Sequence, residues 1–211
     1  SRMDSVPGKR LWVESDGVQG RLSKGKDSVE MLQVVIHVEK FDNGAHVRLL
    51  IEQRSDRPDE IAITVQAEPD SEPMEYCILT ATMGNKARAR LLWLKDETVS
   101  SLKLYPDYQG PDFTEPTVFP LKALTVTSDG ELLVAITTDE QRPADTRPFT
   151  GTGGWYYGGF KVTQYWKKLK GTWRDDVHAV VNGRFRYWRS TRAIPGGIAF
   201  ENFELRERYY P

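Results

Sequence analysis

The sequence predicts an all-β protein, folded as an antiparallel two-sheet sandwich or jelly roll. Three Asn-Gly or Asp-Gly pairs have residues favoured in strands on both sides. About a dozen short strand-like segments follow one another, with turn signals spaced as in sandwiches and jelly rolls. The one segment with a helical period has an Asn-Gly pair in its interior, which disfavours a helix. Together these observations favour antiparallel sheets over any helical class.

Three β-hairpins are predicted around the Asn-Gly and Asp-Gly pairs. Both dipeptides tolerate the positive φ angles of tight turns whose twist matches that of paired strands. The first hairpin joins residues 34–39 to 47–51 through Asn43-Gly44, the second joins 124–127 to 132–136 through Asp129-Gly130, and the third joins 177–181 to 184–188 through Asn182-Gly183. Residues 175–185 also fit a helical stripe, but Asn182-Gly183 in its interior favours the hairpin.

Further strands are predicted from β-favouring residues bounded by turn residues. They cover residues 11–14, 61–67, 74–82, 91–95, 156–166 and 197–206. Turns are predicted at Arg57-Pro58-Asp59, Glu68-Pro69-Asp70, Tyr105-Pro106-Asp107 and Ile194-Pro195-Gly196. Residues 106–120 and 139–154 are rich in Pro, Asp, Thr and Gly, so we predict that they form the long loops at the ends of the sandwich.

The length and composition predict one globular domain. A chain of 211 residues, with 39% hydrophobic and 28% charged residues, can bury a sizeable core without a disulfide or a metal. We therefore expect a single β-sandwich domain over residues 1–211. The start at Ser1 and the end directly after a strand-like segment leave open that this domain is a piece of a longer protein.

Charge, cysteine content and hydropathy exclude several classes of protein. The formal net charge is −1, so no field of the whole molecule steers it to nucleic acid or anionic lipid. Cys77 is the only cysteine, so it cannot form an internal disulfide and does not decide the compartment. No apolar run approaches the length of a membrane span. We slightly favour a secreted or periplasmic location, and the oligomeric state stays open.

No metal or cofactor site is expected. The sequence lacks the short motifs of serine hydrolases, zinc proteases, dithiol enzymes and phosphate-binding loops. The glycine-rich residues 151–154 lead into an aromatic strand instead of a helix, so they predict a loop tip and not a phosphate cradle. His37 and His46 lie on opposite strands of the predicted hairpin and could sit as a cross-strand pair, but two imidazoles are too few for a structural zinc site without carboxylate help.

Cationic and aromatic residues are concentrated in residues 155–192. Nine Lys and Arg residues against two Asp residues give this stretch a charge of +7, whereas residues 1–154 carry −7. The same stretch holds four of the six tryptophans. Aromatic rings stack on the apolar face of a pyranose, and Lys or Arg can hold a carboxylate or sulfate. The stretch therefore favours a carbohydrate-binding surface, although strands are rich in aromatic residues for structural reasons as well.

Alternation along the predicted strand 156–166 assigns its two faces. One face carries Trp155, Tyr157, Lys161 and Tyr165 and is expected to bind ligand. The other face has Phe160, Val162 and Trp166 and is expected to pack into the core. A bulge at Gly158 or Gly159 would exchange the two faces beyond it.

The C-terminal segment carries a family resemblance. Residues 195–207 read Pro-Gly-Gly-Ile-Ala-Phe-Glu-Asn-Phe-Glu-Leu-Arg-Glu, with an apolar residue, an acidic and amide pair, an aromatic residue and an alternating tail. This pattern resembles the closing strand of concanavalin A-like and jelly-roll domains. The resemblance implies a bacterial carbohydrate-active or sugar-binding protein whose last strand lies beside the first, at residues 11–14. The Glu-x-Asp-x-Glu signature of the retaining glucanases in that group is missing, so their two-carboxylate mechanism is not implied.

The leading functional hypothesis is a β-sandwich that engages an acidic polysaccharide on a concave face. If the protein is an enzyme, a polysaccharide lyase or a glycoside hydrolase is expected, and β-elimination on a uronate fits best. That reaction needs a base near the α-carbon and a cation or amide to stabilise the enolate. The candidate catalytic residues are His178, Tyr165 and Arg48, and the candidate substrate-binding residues are Trp155, Tyr157, Lys161 and Arg184.

Several alternatives stay open. The competing hypothesis is a non-catalytic carbohydrate-binding module of a longer protein, and a third is a structural domain whose exposed rings are buried against a partner. Single-stranded nucleic acid also needs cations and stacking rings, but the compensating charge of −7 elsewhere disfavours it. For the leading hypothesis we expect Lys161, Tyr157, Arg48 and His178 to converge on one groove, flanked by the loops 106–120 and 139–154.

Overall fold

A computed structural model describes residues 18–24, 29–82, 89–138, 163–187, 191–194 and 196–209. About half of these residues lie in antiparallel strands, which form two sheets. The helical elements in the described ranges are one short helix and a single 3-10 turn at Leu121–Ala123. The predicted all-β class is therefore confirmed. The finer expectation of a concanavalin A-like jelly roll stays a prediction.

The chain divides into two compact units. The first unit comprises residues 1–77 together with residues 209–211, and the second unit comprises residues 78–208. Within the first unit, Tyr209 hydrogen-bonds the chain that follows the sheet: the Ala67 amide donates to the Tyr209 hydroxyl at 2.8 Å, and the Tyr209 amide donates to the Glu75 carbonyl at 2.7 Å. The expectation of one domain over the whole chain stays a prediction.

The first unit holds a four-stranded antiparallel sheet in chain order. Its strands are β1 (Val18–Lys24), β2 (Glu30–His37), β3 (Val47–Arg54) and β4 (Arg57–Ala67). The predicted hairpin at Asn43-Gly44 is confirmed: β2 pairs with β3, and Gly44 has φ of +83°. The turn predicted at Arg57-Pro58-Asp59 is wrong, because β4 begins at Arg57 and the turn lies at Ser55 and Asp56.

Cross-strand register sorts the side chains of this sheet onto two faces. Val34, Ile51 and Ile63 are paired across β2, β3 and β4 and form an apolar row. His37, Arg48 and Gln66 are paired across the same strands and belong to the opposite face, since their positions differ from the first row by an odd number. The row of Val34, Ile51 and Ile63 is thus aliphatic, whereas the row of His37, Arg48 and Gln66 on the other face is polar and carries charge.

The second unit holds a nine-stranded sheet. Its elements in chain order are β5 (Thr80–Thr82), β6 (Ala89–Trp93), β7 (Thr98–Ser100), α1 (Ser101–Leu104), β8 (Thr117–Pro120), β9 (Thr125–Val126), β10 (Leu132–Thr138), β11 (Thr163–Lys168), β12 (His178–Arg184) and β13 (Ala199–Arg206). The main path of the sheet is β11-β10-β6-β13-β12-β8. The three short strands β5, β7 and β9 pair with β13, β6 and β10 respectively.

Two of the three predicted hairpins occur. β9 pairs with β10, and Gly130 in their turn has φ of +80°, as expected for Asp129-Gly130. The hairpin predicted at Asn182-Gly183 is wrong, because β12 runs straight through both residues and pairs with β13 and β8. The register between β12 and β13 shifts at this point, so the pair marks an irregularity and not a turn.

The other predicted strands are found with shifted ends. Segments 61–67, 91–95 and 197–206 correspond to β4, β6 and β13, and the described end of 156–166 lies in β11. Only the last three residues of 74–82 form a strand, β5. Most of the predicted loop 106–120 is irregular, and it ends in β8. The predicted strand 11–14 and the predicted loop 139–154 lie outside the described ranges.

One face of the nine-stranded sheet packs into the hydrophobic core of the second unit. We call this side the core face and the other side the outer face. Leu92, Val134, Val181 and Phe203 are fully or almost fully buried on the core face. Their neighbours in sequence therefore point to the outer face, because side chains alternate along a strand. The core thus fixes which residues of β6, β10 and β11 are presented outward.

No helix in the described ranges combines the length and the apolarity that a membrane span needs.

Candidate functional site

Two exposed aromatic rings flank a small residue on the outer face. Tyr165 on β11 pairs with Ala135 on β10, which pairs with Trp93 on β6, and Trp93 pairs with Thr98 on β7. Tyr165 is 63% exposed and Trp93 is 44% exposed. Two strand spacings of about 4.8 Å put the backbones that carry the rings about 10 Å apart. We call these four residues the ring row.

The orientation of Tyr165 follows from its neighbour. Trp166 packs against the core and meets the Phe203 ring edge-on, with 5.4 Å between the ring centroids. Alternation then turns Tyr165 to the outer face. The predicted assignment of Trp166 to the core and Tyr165 to the surface agrees with these contacts.

Hydrogen bonds hold the Trp93 ring in place. The indole Nε1 of Trp93 donates to the Thr137 hydroxyl at 2.6 Å. The Thr137 hydroxyl also lies 3.2 Å from the Thr163 hydroxyl, so the three side chains form a connected chain across β6, β10 and β11. Thr137 is itself buried, which fixes its rotamer. The ring of Trp93 is therefore pre-oriented before any ligand arrives.

Hydroxyl groups border the rings on one side. The row next to the ring row consists of Thr163, Thr137, Leu91 and Ser100, paired across β11, β10, β6 and β7. We call it the hydroxyl row. On the other side of the ring row, Lys167 pairs with Leu133, and the Lys167 ammonium lies 3.9 Å from a Glu131 carboxylate oxygen. The two rows themselves combine rings, hydroxyls and aliphatic groups without a formal charge.

His178 lies on the same outer face but far from Tyr165. Its neighbour Ala179 is in the core, and its Nδ1 donates to the Asp176 carbonyl at 2.9 Å. The strand order puts β12 four positions from β11, which corresponds to about 19 Å across the sheet. The structure therefore does not bring His178 and Tyr165 together in one groove.

Arg184 is buried. It is only 7% exposed, its guanidinium lies 4.3 Å from the centre of the Phe113 ring, and its Nη1 lies 3.7 Å from the Glu201 carboxylate. Burial raises the pKa of Glu201, and the charge of Arg184 opposes that shift. The pair lies next to the register shift between β12 and β13, and Arg184 is not a surface cation.

Arg48 belongs to the first unit, where it forms a small charged cluster. Its Nε donates to Gln66 Oε1 at 3.0 Å, and its Nη1 lies 3.7 Å from Glu68 Oε2. The other oxygen of Glu68 accepts from His37 Nδ1 at 2.8 Å. We call His37, Arg48 and Glu68 the histidine–carboxylate cluster.

The sequence interpretation missed His37 as the neighbour of Arg48. His37 and His46 do not form the cross-strand pair that the hairpin allowed, because His37 faces Arg48 across β2 and β3 and His46 donates to Asp70 at 2.6 Å. That hydrogen bond lowers the pKa of Asp70. The register of the Asn43-Gly44 hairpin was the signal that could have identified the His37–Arg48 contact.

Three of the predicted substrate-binding residues, Trp155, Tyr157 and Lys161, lie outside the described residues. Trp93 was not among the candidates. The alternation of Leu92 and Leu94 around it was the available signal, since two buried leucines turn the residue between them outward. Within the described ranges, no group of three or more His, Cys, Asp or Glu side chains is arranged to hold a metal ion.

Comparison of the chain with protein-family models, curated proteins and solved structures finds no match.

Proposed function

We propose that the outer face of the second unit binds carbohydrate, with Trp93 and Tyr165 as stacking platforms. The observation that carries this proposal is the ring row, in which Ala135 separates two exposed rings in one register. A sugar ring stacks its apolar face on an aromatic ring. Ala135 between the rings is buried, so the two rings provide the contact area. The hydroxyl row supplies donors and acceptors at the edge of such a ligand.

Pre-orientation of Trp93 supports the proposal. An exposed tryptophan normally loses rotamer freedom when it stacks on a ligand, and this loss weakens binding. The hydrogen bond from Trp93 to the buried Thr137 hydroxyl removes much of that cost in advance.

Replacing either ring with alanine is expected to weaken binding of an oligosaccharide at least tenfold. A ring at the centre of a binding surface contributes about 1–2 kcal/mol or more, and each 1.4 kcal/mol changes the affinity tenfold. Isothermal titration of Trp93→Ala and Tyr165→Ala, with a ligand first identified on a glycan array, measures the effect.

Phe41→Ala is the matched control, because Phe41 is an exposed ring on the hairpin of the first unit and should not change the affinity. Unchanged binding in both ring variants would contradict the proposal. Absence of binding to any glycan, together with a dimer in light scattering that Tyr165→Ala dissociates, would instead assign the rings to a protein partner.

A second candidate function rests on the histidine–carboxylate cluster. When Nδ1 of His37 donates to Glu68, the neutral imidazole carries its lone pair on Nε2 and can act as a base. Arg48 on the adjacent strand could neutralise a substrate carboxylate. A base beside a cation is what β-elimination on a uronate requires. His37 would take the α-proton, the electron pair would form the C=C bond as the β C–O bond breaks, and water would protonate the leaving oxygen.

If the first unit is a lyase, His37→Ala is expected to lower the rate at least a hundredfold, since general-base catalysis contributes roughly 10²–10⁴-fold. The absorbance of the unsaturated product, followed over a panel of uronate polymers, measures the rate. His46→Ala is the matched control, because His46 also donates to a carboxylate, but that carboxylate is Asp70 and not Glu68. No product from the unaltered protein with any polymer would remove this candidate.

A further inference from the structure

Three cations of the basic stretch lie near carboxylates of the second unit. Lys168 forms an ion pair with Glu207, Arg184 faces Glu201, and Lys167 lies near Glu131. Each of these carboxylates comes from outside residues 155–192. The sequence excess of cations was the reason to expect an acidic polysaccharide, and in the described part of the stretch these three cations are engaged by carboxylates.

The eight described residues of the ring row and the hydroxyl row carry no formal charge. Together the two rows contain two aromatic, two aliphatic and four Ser or Thr residues. Their one ionisable side chain is the Tyr165 phenol. Lys167 lies in the next row with Glu131 beside it, and Lys95 and Asp96 are exposed in the turn that joins β6 to β7. A carboxylated or sulfated polymer lying on these two rows would lose part of its hydration without gaining a counter-charge from them.

We infer that the ring row selects neutral glycans over uronates and sulfated glycans. This inference rests on the proposed carbohydrate-binding function and names its ligand class. Stacking on Trp93 and Tyr165 and hydrogen bonds to Thr98, Ser100 and Thr163 suit a ligand rich in hydroxyl groups. Because these interactions do not involve ion pairs, the affinity is insensitive to salt, whereas binding through Lys or Arg weakens as salt screens the charges.

The test titrates the full chain with two matched panels of hexasaccharides, one of neutral hexoses and one of the corresponding uronic acids. Each titration is made at low and at high sodium chloride concentration. We expect the best neutral ligand to bind at least tenfold more tightly than its uronate, with less than a twofold change in affinity between the two salt concentrations. Trp93→Ala must abolish the preference.

The inference would be overturned if the uronates bound more tightly than the neutral glycans, in a salt-sensitive way, and if Trp93→Ala weakened that binding. The proposed function would still stand. If no member of either panel binds, the proposed function itself fails and the inference fails with it.

A gain-of-charge variant gives an independent readout. Thr98→Lys puts a cation beside Trp93 and is expected to raise uronate affinity severalfold at low salt, whereas the uncharged Thr98→Gln is not. Equal uronate affinity in the two variants would count against a charge-selective surface at Trp93.

Discussion

Replacing Glu201 with alanine is expected to lower the free energy of unfolding by about 3–5 kcal/mol, which is the usual cost of removing one partner of a buried ion pair. Glu201 is buried and lies 3.7 Å from the guanidinium of Arg184, which is also buried. The variant keeps the buried cation and removes the carboxylate that faces it. Urea unfolding of the full chain, followed by tryptophan fluorescence, measures the loss. Glu115→Ala removes an exposed carboxylate and should change the stability by less than about 0.5 kcal/mol.

A double variant separates stability from function at this pair. Arg184→Met with Glu201→Leu removes both charges, and similar replacements of buried ion pairs are often neutral or stabilising. If Arg184 is structural, the double variant folds and keeps its glycan affinity. If the variant folds but loses glycan affinity, Arg184 belongs to a ligand site, as the sequence interpretation proposed. A loss of stability in Glu201→Ala of less than about 1 kcal/mol would show that the two charges are not coupled.

The pH dependence of stability gives the same pair a second readout. Because burial raises the pKa of Glu201 in the folded state, the folded chain holds this proton more tightly than the unfolded chain does. The resulting stabilisation is fully present below the unfolded pKa and is lost as the pH rises through the folded pKa. Glu201→Gln cannot titrate, so its stability should lack this decline.

Turn chemistry was predictable from the sequence only where the glycine serves the turn itself. Gly44 and Gly130 both have positive φ, and the strands around each pair as predicted. Gly183 belongs to the same kind of dipeptide, but here glycine is required by a close contact and not by a turn. A Cβ there would lie 3.0 Å from the Ala199 carbonyl oxygen and 3.0 Å from Ile198 Cδ1. Close approach of a neighbouring segment, which no local pattern reveals, accounts for the wrong hairpin.

Local alternation also predicted which way a side chain faces, but not which strands are neighbours. It correctly separated Tyr165 from Trp166. It did not indicate that β6 lies two strands from β11, and the partnership of Tyr165 with Trp93 depends on that long-range order. The burial of Arg184 depends on Phe113, which is 71 positions away in the sequence. Residues in contact across such separations are fixed by the packed core and not by the spacing of residues along one strand.

Replacing Phe203 with alanine is expected to cost about 3–5 kcal/mol, because the deletion of a buried aromatic side chain leaves a cavity in a packed core. Phe203 is fully buried on the core face of β13 and meets Trp166 edge-on. Removing its ring takes away the support of Trp166, which holds the part of β11 that presents Tyr165. The free energy of unfolding in urea measures the cost.

Two comparisons make the Phe203 result specific. Phe203→Leu keeps most of the volume and should cost clearly less than Phe203→Ala, while Val118→Ala changes an exposed residue of β8 and should stay within about 0.5 kcal/mol of the unaltered protein. If Trp166 orients Tyr165, Phe203→Ala also weakens glycan binding under conditions in which the variant is fully folded, and Phe203→Leu does so less. Equal costs for the alanine and leucine variants would mean that the ring does not fill the core as its contacts with Trp166 indicate.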